Sequence, residues 1–176
     1  MFENMFDGVD VNLGVEQDKF LDIDAKHIVY CGRPDQIRLK NGLRAGNIAG
    51  WIDYRNLKFI IKNEKWDADT DVVNFCHLKV PYTRKTHFGH FYGFKEPDQV
   101  LYELTCDSRV TDLVPFYPIQ SEIEKVTACK RLVETDYPNI IWGGRLGNNA
   151  YLDMDKIVNQ GLHITDRLLK KTNITT

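Results

Sequence analysis

The residues best suited to chemistry lie near the C-terminal end, where Gly143-Gly144-Arg145-Leu146-Gly147 follows directly on the apolar triplet Ile140-Ile141-Trp142. Glycines let a ligand approach the backbone closely. A helix opening near Asp153 would offer free N–H groups and a positive dipole end, and Arg145 adds a planar fork of donors matched to a pyrophosphate. The same residues also suit a tight strand–helix turn carrying a surface arginine, and residue types alone leave both readings open. Tyr151, Asp153 and Asp155 gather at the helix start, where Asp153 reads most simply as an N-cap. Pro115-Phe116-Tyr117-Pro118 brackets two aromatics with prolines, giving a rigid loop that either presents a phenol to a ligand or packs. His87 and His90 point to opposite faces of a β-rich segment, so no metal site is expected. The dinucleotide, P-loop, hydrolase-elbow and HExxH motifs are absent.

The elements that position these residues follow from periodicity. Val9 to Leu13 alternates and reads as a short strand, and His27 to Tyr30 reads as a buried strand stopping at Gly32-Arg33-Pro34. Residues 36–50 are polar and glycine-punctuated, a loop or short helical excursion. Leu57–Ile61, Asp71–Phe75, His87–Tyr92 and Val100–Leu104 are β-rich with short links, which argues for a mostly antiparallel sheet. From Ser121 the period becomes helical. Ser121 with Glu124 forms a capping box, Ile123, Val126, Leu132 and Val133 share a face, and Pro138 closes the helix. Beyond Asp153, Met154, Ile157, Val158, Leu162, Leu168 and Leu169 recur at helical spacing, with Lys170-Lys171 at the C-terminal end and a frayed tail after it.

Composition bounds the rest. A chain of 176 residues with 43% hydrophobic and 27% charged residues has the make-up of an ordinary globular protein. A net charge of −2 gives no field to draw nucleic acid or an anionic membrane. No apolar run approaches the roughly 20 residues of a membrane helix. Residues 1–10 lack a basic n-region, so no signal peptide is expected and the protein reads as cytoplasmic. Cys31, Cys76, Cys106 and Cys129 form no CxxC pair, and read as reduced, mostly buried thiols.

Several segments, in order, resemble the UDP-galactopyranose mutase family. They are Asp10 to Gly14, His27 to Gly32, Asp53-Tyr54-Arg55-Asn56-Leu57-Lys58-Phe59, Val73-Asn74-Phe75 with Val80 to Arg84, Pro115 to Pro118, and Gly143 to Gly147 with Tyr151-Leu152-Asp153-Met154. The match runs from Met1 to about Leu169. The resemblance implies an α+β fold: an antiparallel, substrate-side sheet domain at 36–118, with 1–35 and 119–176 supplying the C-terminal part of a Rossmann-like FAD domain. It implies interconversion of UDP-galactopyranose and UDP-galactofuranose on reduced FAD, with departure of UDP and opening and reclosure of the sugar ring. Gly143, Gly144, Arg145, Leu146, Gly147, Asp153 and Met154 would then lie on the flavin side. Tyr117, Tyr151, Asp153, Asn74 and Arg84 would face a UDP-galactose-type nucleotide sugar.

Departures accompany the match. The family's N-terminal GxGxxG region and helical domain have no counterpart, so a separate N-terminal half, or a homo-oligomer, is the expected partner for activity. Glu103 or a neighbour stands where the family places a diphosphate-gripping cation, with Arg109 a substitute if its loop bends back. Asn149 replaces a family tyrosine. Two functions compete: one half of a split flavin-dependent mutase, or a truncated, non-catalytic relative that binds a nucleotide sugar or a protein. The first requires Val11, Ile28, Val29, Ile140 and Ile141 to belong to a sheet completed by another chain.

Overall fold

A computed structural model describes residues 6–15, 23–66, 68–77, 79–89, 99–107 and 115–172. The element order is β1 (Ile28–Tyr30), α1 (Ala45–Ala49), β2 (Tyr54–Asn63), β3 (Val72–Asn74), β4 (Arg84–His87), β5 (Gln99–Asp107), β6 (Pro115–Pro118), α2 (Ile123–Asp136), β7 (Ile140–Trp142), α3 (Gly144–Asn148) and α4 (Met154–Thr172). Two sheets organise them: a parallel pair, β1–β7, and an antiparallel sheet in the order β3-β4-β5-β2-β6. The chain is thus mixed α/β with an antiparallel sheet.

The apolar core sits around α2, not between the strands of the larger sheet. Val126, Cys129 and Val133 recur at helical spacing on the buried face of α2 and meet Tyr30, Ile37, Leu39, Ala45, Ile52, Tyr54 and Ile140. Residues 37–52 therefore pack with α2 and the β1–β7 pair. Asp35 is fully buried there, held by the Arg33 guanidinium (Nη2–Oδ2 2.6 Å, Nε–Oδ1 3.2 Å) and by the Ile52 amide at 3.1 Å. A buried carboxylate persists only when paired and hydrogen-bonded in this way.

The helix start differs from the expected capping box. Gln120–Glu122 form a 3-10 turn, so α2 begins at Ile123 with Glu122 at the cap position and no side-chain cap bond. The Glu122 carboxylate instead accepts from the Asp53 amide (3.2 Å) and the Lys125 ammonium (2.7 Å). Ile123 stays exposed, while Leu132 packs at the core's margin and the helix ends two residues before Pro138.

The antiparallel sheet is built on a nine-pair ladder from Arg55↔Asp107 to Asn63↔Gln99. Cross-strand registers Asn74↔Arg84, Arg84↔Glu103 and Glu103↔Phe59 set those four residues in one row across β3, β4, β5 and β2. Directly paired residues share a face, and Arg55↔Tyr117 brings Tyr117 onto the same face as this row.

Three expectations are corrected here. Val9 to Leu13 forms no strand: it has no pairing partner, and Leu13 is 90% exposed. The strand expected at 87–92 lies earlier, at Arg84–His87, because its charged side chains find cross-strand partners; residues 90–92 lie outside the described set. Pro115 to Pro118 is an edge strand with a bulge opposite Arg55/Asn56 rather than a free loop, a position where proline's missing N–H is tolerated. Among the described residues no helix is long and apolar enough to cross a membrane.

Candidate functional site

The glycine-rich segment is a helix, not a loop. β7 leads straight into α3, with Gly143 at its N-cap and Asn149 closing it in the left-handed region at φ 49°. Asparagine tolerates that conformation better than most residues, which accounts for its presence there. Two glycines are dictated by the chain itself. Gly144 has φ +67°, and a Cβ on Gly147 would lie 2.8 Å from the Tyr30 carbonyl oxygen of β1. α3 is therefore pressed onto β1, and it also packs on β6.

That seating carries Arg145 to the edge of the antiparallel sheet. Its guanidinium lies 4.5 Å from the ring centroid of Tyr151 and 5.7 Å from that of Tyr117. The two rings stack at 5.4 Å and 20°. Two of the fork's donors, Nε and Nη2, go to the Leu152 carbonyl at 3.2 and 2.7 Å. Arg145 thus pins the 149–153 segment and presents a cationic face over two phenols. Burial raises the pKa of Tyr117, with Glu103 and Tyr151 adding to the rise and Arg84 and Arg145 opposing it. The phenol accordingly stays protonated near neutral pH and is a hydrogen-bond donor.

Beyond Tyr117 the sheet face continues into the row Glu103, Arg84 and Asn74. Arg84 Nε donates to Asn74 Oδ1 at 2.9 Å, and its Nη1 lies 3.7 Å from Glu103 Oε2. A groove of about 410 Å³ opens alongside, lined by Phe59, Val72, Arg84, Thr86, Phe88, Leu101 and Glu103. Sequence reading singled out Tyr117, Tyr151, Arg145, Asn74 and Arg84, which share this face. It missed Phe59, Phe88 and Leu101, whose only signal is apolar alternation on strands that leaves aromatics exposed.

The other named residues fall as follows. Leu146 is half-buried beside the core, and Gly143 and Gly147 face β1. Asp153 immediately precedes α4; its carbonyl accepts the Ile157 amide at 3.0 Å, and its carboxylate is 3.9 Å from Lys156. Met154 is 77% exposed. His87 is buried, 5.5 Å from the Trp66 ring; His90 and Arg109 lie outside the described residues. Among the described residues no group of three His, Cys, Asp or Glu is placed to hold a metal ion. Cys31 and Cys76 are exposed and Cys106 is intermediate; only Cys129 is buried, a correction to the expected mostly buried set.

The fit to a flavin is limited. The Gly144 amide already donates to Gln160 Oε1 at 2.9 Å, Arg145 is engaged by Leu152, and the space beside Gly147 is filled by β1. These residues do not by themselves form a cradle for the cofactor, and no chemical step is routed through one here.

Fold and site together define a mixed α/β protein that presents a tyrosine–arginine stack and an acid–base pair on one face of an antiparallel sheet. The family model described as UDP-galactopyranose mutase matches residues 1–151, and the chain belongs to that family. It is 30% identical over 154 residues to a probable UDP-galactopyranose mutase of Klebsiella pneumoniae, covering 83% of this chain and 37% of that protein. It is also 30% identical over 132 residues to a dTDP-fucopyranose mutase of Escherichia coli, covering 69% of this chain and 33% of that one. The chain thus spans about a third of the length of these curated relatives.

Proposed function

We propose that this chain forms the substrate-side sheet and closing turn of a nucleotide-sugar mutase that interconverts pyranose and furanose forms on FAD, and that it acts with a further segment supplying most of the flavin site. The observation that carries this reading is the Arg145–Tyr151–Tyr117 stack at the junction of α3 and the sheet. A protonated phenol and a guanidinium face suit the diphosphate of a sugar nucleotide, UDP-galactose or a relative of it. Bound flavin would supply the nucleophile toward the sugar's anomeric carbon. The protein's own work is to hold the diphosphate, donate the Tyr117 proton into a hydrogen bond and keep Arg145 over the departing charge.

The need for a further segment is supported by two unpartnered surfaces. Parallel strands are ordinarily covered on both faces, yet β1–β7 is a lone pair with Val29 exposed. On α4, Gln160, Ile164 and Leu168 are half-buried, while Met154, Val158, Leu162 and Leu169 form an exposed apolar stripe. We place the boundary between the two units near Asp53, since residues 37–52 share the core of α2.

FAD and UDP titrations by calorimetry test the reading, first on the chain alone and then mixed with the part of the Klebsiella pneumoniae relative outside the matched stretch. The expected result is UDP binding by the chain, and FAD binding and mutase turnover only in the mixture. FAD binding in neither condition, with UDP binding retained, would instead establish a non-catalytic binding module. Absence of both would overturn the proposal.

A further inference from the structure

We propose that the groove beside Tyr117 is a pyrimidine site that takes the base of the nucleotide sugar through its imide edge; the assignment rests on the nucleotide-sugar reading above. The imide edge of uracil or thymine presents acceptor, donor, acceptor: O2, N3–H and O4. The groove offers the complement. Glu103 is an acceptor-only carboxylate whose side chain is 13% exposed, and its charged partner among the described residues, Arg84, stands at a loose 3.7 Å. Arg84 is steered by Asn74 and brings N–H donors beside that carboxylate. Carboxylate against N3–H, flanked by guanidinium against a carbonyl oxygen, is the pairing that an imide requires.

The walls match the base's faces. Phe59 is 53% exposed and Phe88 46% exposed at the groove, with Leu101 and Val72 between them. Exposed aromatic rings are a stacking platform, and the volume lies in the range of small-ligand clefts. Glu103 also counts against the alternative that the diphosphate itself lies in this groove, because a carboxylate in the row would repel it. A carboxylate that weakens phosphate binding serves a base with an N–H to donate. The diphosphate is then left to Tyr117, Tyr151 and Arg145, on the same sheet face.

The test compares UMP and CMP, which differ at the base edge: N3 carries a proton in UMP and is an acceptor in CMP. Calorimetry on the full chain should show UMP binding at least about tenfold more tightly than CMP, a gap of about one good hydrogen-bonding pair. Glu103→Gln, whose amide can donate to N3 of cytosine, should narrow that gap. Phe59→Ala should weaken both nucleotides by about tenfold, the loss expected of one stacking ring. Equal binding of UMP and CMP by the unaltered chain, or a preference unchanged in Glu103→Gln, would overturn the base assignment. If UDP still competed with inorganic pyrophosphate in that case, the diphosphate reading would stand without it. If neither nucleotide bound, both would fall.

Discussion

Adding one methyl group at two glycines should change stability in opposite directions. At Gly147 a Cβ meets the Tyr30 carbonyl oxygen at 2.8 Å, with the Cys31 Cα and the Gly32 oxygen at 3.6 Å. The obstacle is β1 backbone, which no rotamer change can move aside, so α3 must back away by several tenths of an ångström. Overpacking of this kind costs about 1–3 kcal/mol, and a rigid obstacle places Gly147→Ala in the upper half of that range. Gly161 lies inside α4 with nothing within 4 Å of its Cβ direction. There alanine only restricts the unfolded chain and favours helix, a gain of about 0.4–1 kcal/mol. Urea unfolding followed by circular dichroism measures both. If Gly147→Ala unfolded within about 0.5 kcal/mol of the unaltered chain, the usual scatter of inert substitutions, then the close seating of α3 on β1 would be wrong. The account of why this turn is glycine-rich would fall with it.

Further outcomes follow from other parts of the molecule. Asp35→Ala leaves Arg33 and the Ile52 amide without their buried partner and should cost about 3–5 kcal/mol in the same assay. Arg145→Lys keeps the charge but loses the fork held by Leu152; tyrosine near-UV dichroism should weaken and UDP affinity should fall about tenfold. Burial, with Asp35 nearby, pushes the Cys129 thiol from 9.0 up to about 12. Because the raised value favours the protonated form in the fold, its contribution is complete below pH 9 and is lost as pH rises through about 12. Cys129→Ala should flatten the stability curve over that window, and at pH 8 Ellman's reagent should reach Cys129 only after unfolding. Leu162→Glu, at a site 62% exposed, should leave stability within about 0.5 kcal/mol while abolishing association with the complementing segment.

What sequence revealed and concealed divides along physical lines. The apolar runs of β1, β2, β5 and β7 and the helical periods of α2 and α4 were legible because burial on one face writes a period into the chain. Val9 to Leu13 carries the same alternation without forming a strand: alternation reports a potential face, whereas a strand also needs a partner edge. β4 was misplaced for the converse reason. Arg84 and Lys85 look like loop residues, but Glu103 and Glu64 answer them across the sheet or alongside it. The helix α3 was hidden by its glycines, whose poor propensity is overridden by the contact with β1 and the hydrogen bond from the Gly144 amide to Gln160. At the site, individual residues were legible through family resemblance. The groove was not, because Phe59 and Leu101 lie on strands whose pairing register alone brings them beside Arg84 and Glu103.

The position of Arg145 ties the ligand face to the unpartnered part of the molecule. Its height over Tyr117 is set by α3, the seat of α3 by Gly147 against β1, and β1 is held by a single parallel partner, β7. A segment that extended the β1–β7 sheet or covered Val29 and the exposed stripe of α4 would therefore stiffen the base on which the stack rests. Binding of such a segment and binding of a nucleotide are then coupled through one mechanical path, and the coupling is reciprocal. UDP should bind more tightly in the presence of the complementing segment, and that segment should bind more tightly by the same factor in the presence of UDP. Gly147→Ala, which lifts α3 from β1, should reduce that shared factor toward one while touching neither ligand. Unequal factors in the two directions would mean that the contact is not at equilibrium; equal factors left intact in Gly147→Ala would mean that the path runs elsewhere than through α3.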